Sequence, residues 1–266
     1  MVRQINSMAV YEHGNRQGTP IVFVHGFPFN SQMWEHQVEY LKDQYHCITY
    51  DIRGLGESPV GDGQFTMEMF VDDLFAIMDE FQLKHPIIAG FSMGGYITLR
   101  AVEREPDRFR ALILCDTKSE ADDNAGKIKR AQGVKAVNNY GAEKFATAFV
   151  PLAFAEKARQ RIPVIFNSTL TQAAAASPEG IKGCLLAMAG RTDTTEFLSN
   201  INVPTLLVVG EQDAITPPDV MQAMHEKIKG SEFVTIAEAG HMAPVEKADE
   251  VNRAIGDFLS KLSRDS

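Results

Sequence analysis

Ser92 lies in Gly90-Phe91-Ser92-Met93-Gly94, a Gly-x-Ser-x-Gly segment that follows the apolar run Ile87-Ile88-Ala89 and leads into a helix-like pattern from Tyr96 to Glu103. A strand turning sharply into a helix holds such a serine at the tip of the turn, in strained backbone, with its hydroxyl lifted above the sheet. Gly90 and Gly94 leave space where β-carbons would clash with the neighbouring strand and helix. The chemistry this arrangement serves is nucleophilic attack by a hydroxyl. The backbone N–H of Met93, at the positive end of the new helix, points at the same place and suits a developing oxyanion.

A serine hydroxyl is a poor nucleophile near neutral pH, so it needs a base, and the base needs a group to orient it. Of seven histidines, His241 follows a strand-like run and a glycine in Glu238-Ala239-Gly240-His241. That is the carboxyl end of the last strand, where open α/β sheets place their sites. His13, His36, His46, His85 and His225 fall in turns or on helix faces and read as solvated; His25 reads as a brace for its own loop. Two aspartates compete for the orienting role. Asp213 follows a buried strand in Val209-Gly210-Glu211-Gln212-Asp213, and Asp116 follows the preceding strand. Asp213 is preferred, because its turn feeds a loop toward His241; Asp116 then reads as a loop or hinge residue, and Glu211 as solvated. A second oxyanion donor is expected from the turn after Ile21–Val24. There, in His25-Gly26-Phe27-Pro28, Gly26 permits a tight approach and the N–H of Phe27 faces the charge.

These residues need a frame of strands and helices to meet. Met8–Tyr11, Ile21–Val24, His46–Tyr50, Ile87–Phe91, Ala111–Cys115, Thr205–Val209 and Phe233–Ile236 read as strands, with a polar turn over 12–18. Helices are predicted over 32–41, 67–81 behind a Thr66 cap, 220–228 and 248–261. Strands that are apolar throughout and alternate with helices describe a parallel sheet covered on both faces. The alternation stops after Asp116 and resumes at Thr205, and Ser177-Pro178-Glu179 is a clean helix start in between. The expected organisation is a discontinuous core, 1–116 and 201–266, interrupted by a helical cap over 117–200.

Length and composition agree. A chain of 266 residues, 44% hydrophobic and 23% charged, has ample material for one α/β domain with an insertion. A net charge of -9 disfavours nucleic acid and anionic membranes as partners. No secretory leader or bilayer-length apolar stretch is visible, and Cys47, Cys115 and Cys184 are sparse and unpaired in spacing. A cytoplasmic protein with reduced thiols is therefore expected, as a monomer or homodimer. No Cys/His cluster has metal spacing and no nicotinamide or flavin fingerprint is present, so neither a metal nor a cofactor is expected.

Four signals in order, His25-Gly26-Phe27, Asp51-Ile52-Arg53-Gly54-Leu55-Gly56-Glu57-Ser58, Gly90–Gly94 and Gly240-His241, make the chain similar to the α/β-hydrolase superfamily. Within it, the chain resembles small bacterial carboxylesterases, 3-oxoadipate enol-lactonases and cofactor-free haloperoxidases (perhydrolases). The resemblance implies an α/β-hydrolase fold with a mostly parallel sheet and an inserted helical cap. It makes Asp51 and Arg53 framework residues. It implies a serine hydrolase of small-to-medium carboxylic esters using Ser92, His241 and Asp213, with Phe27 and Met93 as oxyanion donors and a small-molecule ester or lactone as substrate. Lactonase or perhydrolase activity on the same residues is the alternative, and a hydrolase-like small-molecule receptor with little turnover is the second. Serine where haloalkane dehalogenases carry aspartate argues against dehalogenation by that route.

Overall fold

The apolar strand runs divide by alternation. Val22, Val24, Ile88, Leu112, Leu114, Leu207 and Val209 join one buried cluster, while Ile21, Phe23, Ile87, Ala89, Ile113, Cys115, Leu206 and Val208 join another. Successive side chains of a strand leave opposite faces, so a run with no polar position must be covered on both. In the computed structural model, which describes residues 2–263, that is the arrangement. Eight strands form one sheet: β1 (Val2–Ile5), β2 (Met8–Gly14), β3 (Pro20–Val24), β4 (His46–Tyr50), β5 (Ile87–Phe91), β6 (Ala111–Cys115), β7 (Thr205–Gly210) and β8 (Glu232–Ile236). Their order is β1-β2-β4-β3-β5-β6-β7-β8. Pairing is parallel from β4 to β8 and antiparallel where β2 meets β1 and β4.

The helices are α1 (Glu35–Leu41), α2 (Met67–Glu80), α3 (Met93–Arg104), α4 (Asn124–Ala153), α5 (Ala158–Arg161), α6 (Pro163–Ala174), α7 (Pro178–Ala189), α8 (Pro218–Lys227), α9 (Ala243–Glu246) and α10 (Ala248–Leu262). Phe70, Val71 and Leu74 of α2, Ile97 and Val102 of α3, and Met221 and Met224 of α8 cover the first face. Val38 and Leu41 of α1 and Val251, Ile255 and Phe258 of α10 cover the second. The Thr66 side chain caps α2 by accepting from Met69 N at 3.2 Å, as a threonine at this position predicts.

Between β6 and β7 the chain is helical: α4 to α7, then a 3-10 turn over Thr195–Asn200. Helix α4 breaks at Gly141, whose φ is 79°; a β-carbon would be strained there. Asp122 anchors the start of this stretch: Arg191 Nη1 and Arg130 Nε each donate to its carboxylate at 2.8 Å.

The edge of the sheet differs from expectation. β1 carries three exposed residues of four and no apolar alternation, so it leaves no signal in the sequence. β2 runs on to Gly14, where the polar composition predicts a turn from Glu12. Two of the histidines read as solvated are paired within the sheet instead, His13 in the extension of β2 and His46 at the start of β4. His46 is buried, with Nε2 2.9 Å from Glu12 Oε1, and His13 Nε2 lies 3.3 Å from Thr49 Oγ1. A third, His225, is half-buried, with Nδ1 2.8 Å from Ser231 Oγ. The three cysteines are free and buried, and burial pushes the Cys47 thiol up to about 12.

Candidate active site

The turn from β5 into α3 is set by steric limits. Ser92 has φ 51° and ψ -114°, in the left-handed half of the map where a side chain is strained. A β-carbon on Gly90 would lie 2.5 Å from Thr98 Oγ1, and one on Gly94 would collide with the Val24 carbonyl of the adjacent strand. The elbow is held from below, since Ser92 N donates to Cys115 O at 3.0 Å and Thr117 Oγ1 donates to Ser92 O at 2.8 Å.

Three strand ends bring three side chains together. His241 Nε2 is 2.9 Å from Ser92 Oγ, and His241 Nδ1 is 2.8 Å from Asp213 Oδ2. An ionised carboxylate only accepts, so the ring proton resides on Nδ1 and bare Nε2 accepts from the serine hydroxyl. All three residues are buried. The imidazole packs against Phe91, ring centroids 5.0 Å apart. Its loop is pinned by Glu246 Oε1, which accepts from Gly240 N at 2.9 Å, and by Met242 N, which donates to Ala153 O at 2.9 Å.

Asp213 is met by four donors, the imidazole being one. Ile215 N and Thr216 N donate to Oδ1 at 2.8 and 2.9 Å, and Thr216 Oγ1 donates to Oδ2 at 2.7 Å beside the imidazole. Burial pushes this carboxyl up, but the charge and hydrogen bond of His241, with the Thr216 N–H and hydroxyl, outweigh it and hold the group below the usual carboxylate range. Asp116 makes no such bond to the imidazole; its Oδ1 accepts from Gly210 N at 2.8 Å. Thr216 is the member that sequence reasoning missed. Its signal is present, because an aspartate followed by a turn commonly accepts the N–H groups two and three residues on.

Met93 opens α3, and Phe27 follows Gly26 in the loop after β3; both are buried. His25 braces that loop: its Nδ1 is 2.9 Å from Gly26 O, and its Nε2 accepts from Ile52 N at 2.8 Å. Burial pushes this imidazole down, which suits a neutral acceptor. Asp51 accepts from Ser31 N and Glu57 N, and Arg53 forks onto Asp73 at 2.9 and 2.6 Å. Both side chains are thus occupied in the frame. Against Phe27 stand Phe145 and Phe149 of α4, each with its ring centroid 5.8 Å away and edge-on. Asp116, Asp213 and His241 form one group with metal-capable atoms within 4.8 Å of one another, but the Asp213 and His241 atoms facing each other already share a proton.

A mostly parallel sheet with a serine at a strained strand-to-helix turn, a histidine and an aspartate at later strand ends defines a class of hydrolase scaffolds. The chain belongs to the α/β-hydrolase family: residues 19–248 match the model for the alpha/beta hydrolase fold. It is 28% identical over 255 residues to 3-oxoadipate enol-lactonase 2 of Acinetobacter baylyi, covering 94% of this chain and 92% of the relative. Among solved structures it superposes on a thermophilic esterase from Thermogutta terrifontis with a TM-score of 0.93 and 34% identity, covering 98% and 99% of the two chains. A bromoperoxidase from Bacillus anthracis gives a TM-score of 0.86 at 27% identity, with 98% and 99% covered.

Proposed function

We propose that this protein is a serine hydrolase that cleaves small-to-medium carboxylic esters through an acyl-enzyme. The observation that carries this reading is the continuous hydrogen-bonded chain Ser92–His241–Asp213. Ser92 attacks the ester carbonyl while its proton passes to His241 Nε2. The N–H groups of Phe27 and Met93 receive the oxyanion. Asp213 holds the imidazole in the productive tautomer and stabilises the imidazolium. The imidazolium protonates the departing alcohol, leaving the acyl group on Ser92. Water then enters, gives its proton to His241 and releases the acid, and Ser92 recovers its hydrogen.

The second reading is a lactonase, in which the leaving alcohol stays tethered to the acyl group. It draws support from the enol-lactonase relative that aligns over nearly the whole chain. The test is multiple-turnover hydrolysis of p-nitrophenyl esters of increasing acyl length, with Ser92→Ala alongside. Sustained turnover that falls by roughly 10³-fold or more in the variant is expected. A single burst, or activity that survives in Ser92→Ala, removes the reading; silence toward linear esters with turnover of lactones selects the second.

A further inference from the structure

Asp116 takes no part in the steps above, yet it is completely buried beside them. It follows β6 at φ 45°, a conformation that costs a non-glycine residue energy and must be held by its surroundings. Its N–H donates to Val208 O at 2.9 Å and its Oδ1 accepts from Gly210 N at 2.8 Å. Its Oδ2 is buried and receives no N–H or O–H donor. A buried carboxylate oxygen without a donor calls for a physical reason.

The reason lies in the neighbouring carboxyl. Asp116 and Asp213 bring oxygens within 4.8 Å of each other and of a His241 ring nitrogen. Two charged carboxylates this close in a buried site repel strongly, so one of them holds a proton. The donors decide which. Asp213 has four, including the imidazole and a hydroxyl. Asp116 has one backbone N–H and a bare oxygen. A bare carboxylate oxygen is far more costly to bury than a carboxyl O–H. The ionisable groups facing Asp116 point the same way: Asp213 after β7 and Glu246 on α9 are acids. Burial first, then the charge of Asp213, and after them a hydrogen bond shared with the Asp213 carboxyl, push the Asp116 carboxyl well above the usual range, against the Gly210 N–H.

We propose that Asp116 is a positioning residue held as the neutral acid, keeping a second negative charge away from the Asp213–His241 pair. A second negative charge there would favour the imidazolium over the neutral ring that accepts from Ser92. This rests on Asp213 being the partner of His241, as in the function proposed above.

Asp116→Asn keeps the shape, the acceptor for Gly210 N and a neutral group where the O–H stood. Its kcat/KM should stay within about threefold of the parent, with the acid limb of the pH profile unmoved, because no charge is removed. An infrared difference spectrum, parent minus Asp116→Asn at neutral pH, should show the carbonyl stretch of a protonated carboxylic acid, shifted in D2O. Carbon NMR of the aspartate-labelled parent should show one side-chain carboxyl still protonated at neutral pH, a readout that needs neither turnover nor a folded variant. The spectra therefore decide the proposal even where the ester-hydrolase reading fails. Ionised carboxyls throughout in the NMR experiment, or no acid band, overturn it. So does an acid limb in Asp116→Asn displaced downward by about a pH unit or more, since that records the loss of a charge.

Discussion

At the scale of single residues, the site is a chain of donors and acceptors whose directions are fixed by one carboxylate. Asp213 can only accept, so the imidazole must present its Nδ1 proton to it and a lone pair to Ser92. Asp213→Asn offers an amide whose N–H₂ competes for that position and favours the wrong tautomer. We expect kcat to fall by roughly 10³–10⁴-fold. KM should change little, because Asp213 is buried behind the imidazole and out of reach of a substrate. Steady-state kinetics on one good ester checks this, and a kcat within tenfold of the parent would reassign the acid. Thr216→Val removes one of the four donors to Asp213 and leaves the other three. A loss of about tenfold in kcat is expected, the usual worth of a hydrogen bond to a charged group. Ser92 and His241 are legible because each sits in a spacing that only a strand end explains. Thr216 is not, because its role depends on a side chain folding back across a turn.

At the scale of elements, legibility follows burial. β5, β6 and β7 are almost wholly apolar because helices cover both faces, and such runs stand out in a sequence. β1 and the outer half of β2 lie toward an edge, where solvent replaces a helix, and their polar residues read as turn. The burial of His46 escapes a sequence reading for the same reason: its partner Glu12 lies in that polar half of β2, 34 residues away and two register positions from Gly14, the residue opposite His46. The insertion shows a further limit. Its start is fixed by an ion cluster, with Asp122 between Arg130 and Arg191, that no local spacing announces. The Asp122 and Arg191 side chains are both nearly inaccessible to water. Burial pushes the Asp122 carboxyl up, but Arg130 and Arg191 outweigh it and hold it below the usual range. Asp122→Asn should therefore lower unfolding stability at neutral pH by about 3 kcal/mol, since it leaves buried guanidinium charge uncompensated. The folded value is depressed, so this contribution is fully present above the unfolded carboxylate value of about 4 and is lost as pH falls through the folded value. Urea unfolding of parent and variant should thus converge in acid. An equal gap at neutral and strongly acidic pH would show that the charge is not what holds the insertion.

At the scale of the whole molecule, the helical insertion and the sheet meet beside Phe27 and the His241 loop. The histidine loop meets the C-terminal end of α4 through Met242 N, which donates to Ala153 O, and through Glu246, which accepts from Ala155 N just beyond it, and the last turns of α4 lay Phe145 and Phe149 against Phe27. Phe145 and Phe149 are stacked with an interplanar angle of 10°, and both stand edge-on to the ring of Phe27, the residue whose backbone N–H is assigned to the oxyanion. On the ester-hydrolase reading proposed above, these rings form an apolar wall beside the loop assigned to the oxyanion, and a wall of this kind sets the size of the group it accepts. Phe149→Ala removes a ring that is only half-buried, so the fold should survive it. The expected result is a shift of the acyl-length optimum toward longer chains, with the ratio of kcat/KM for long over short esters rising about tenfold. The rate on acetate esters should change less, since Ser92, His241 and Asp213 do not depend on this ring for their hydrogen bonds. A chain-length profile of the parent and Phe149→Ala, taken with their melting temperatures, separates the two roles the ring can have. A lower melting temperature with an unchanged profile would mean that Phe149 serves only the packing of α4, and that the size limit is set elsewhere along the wall.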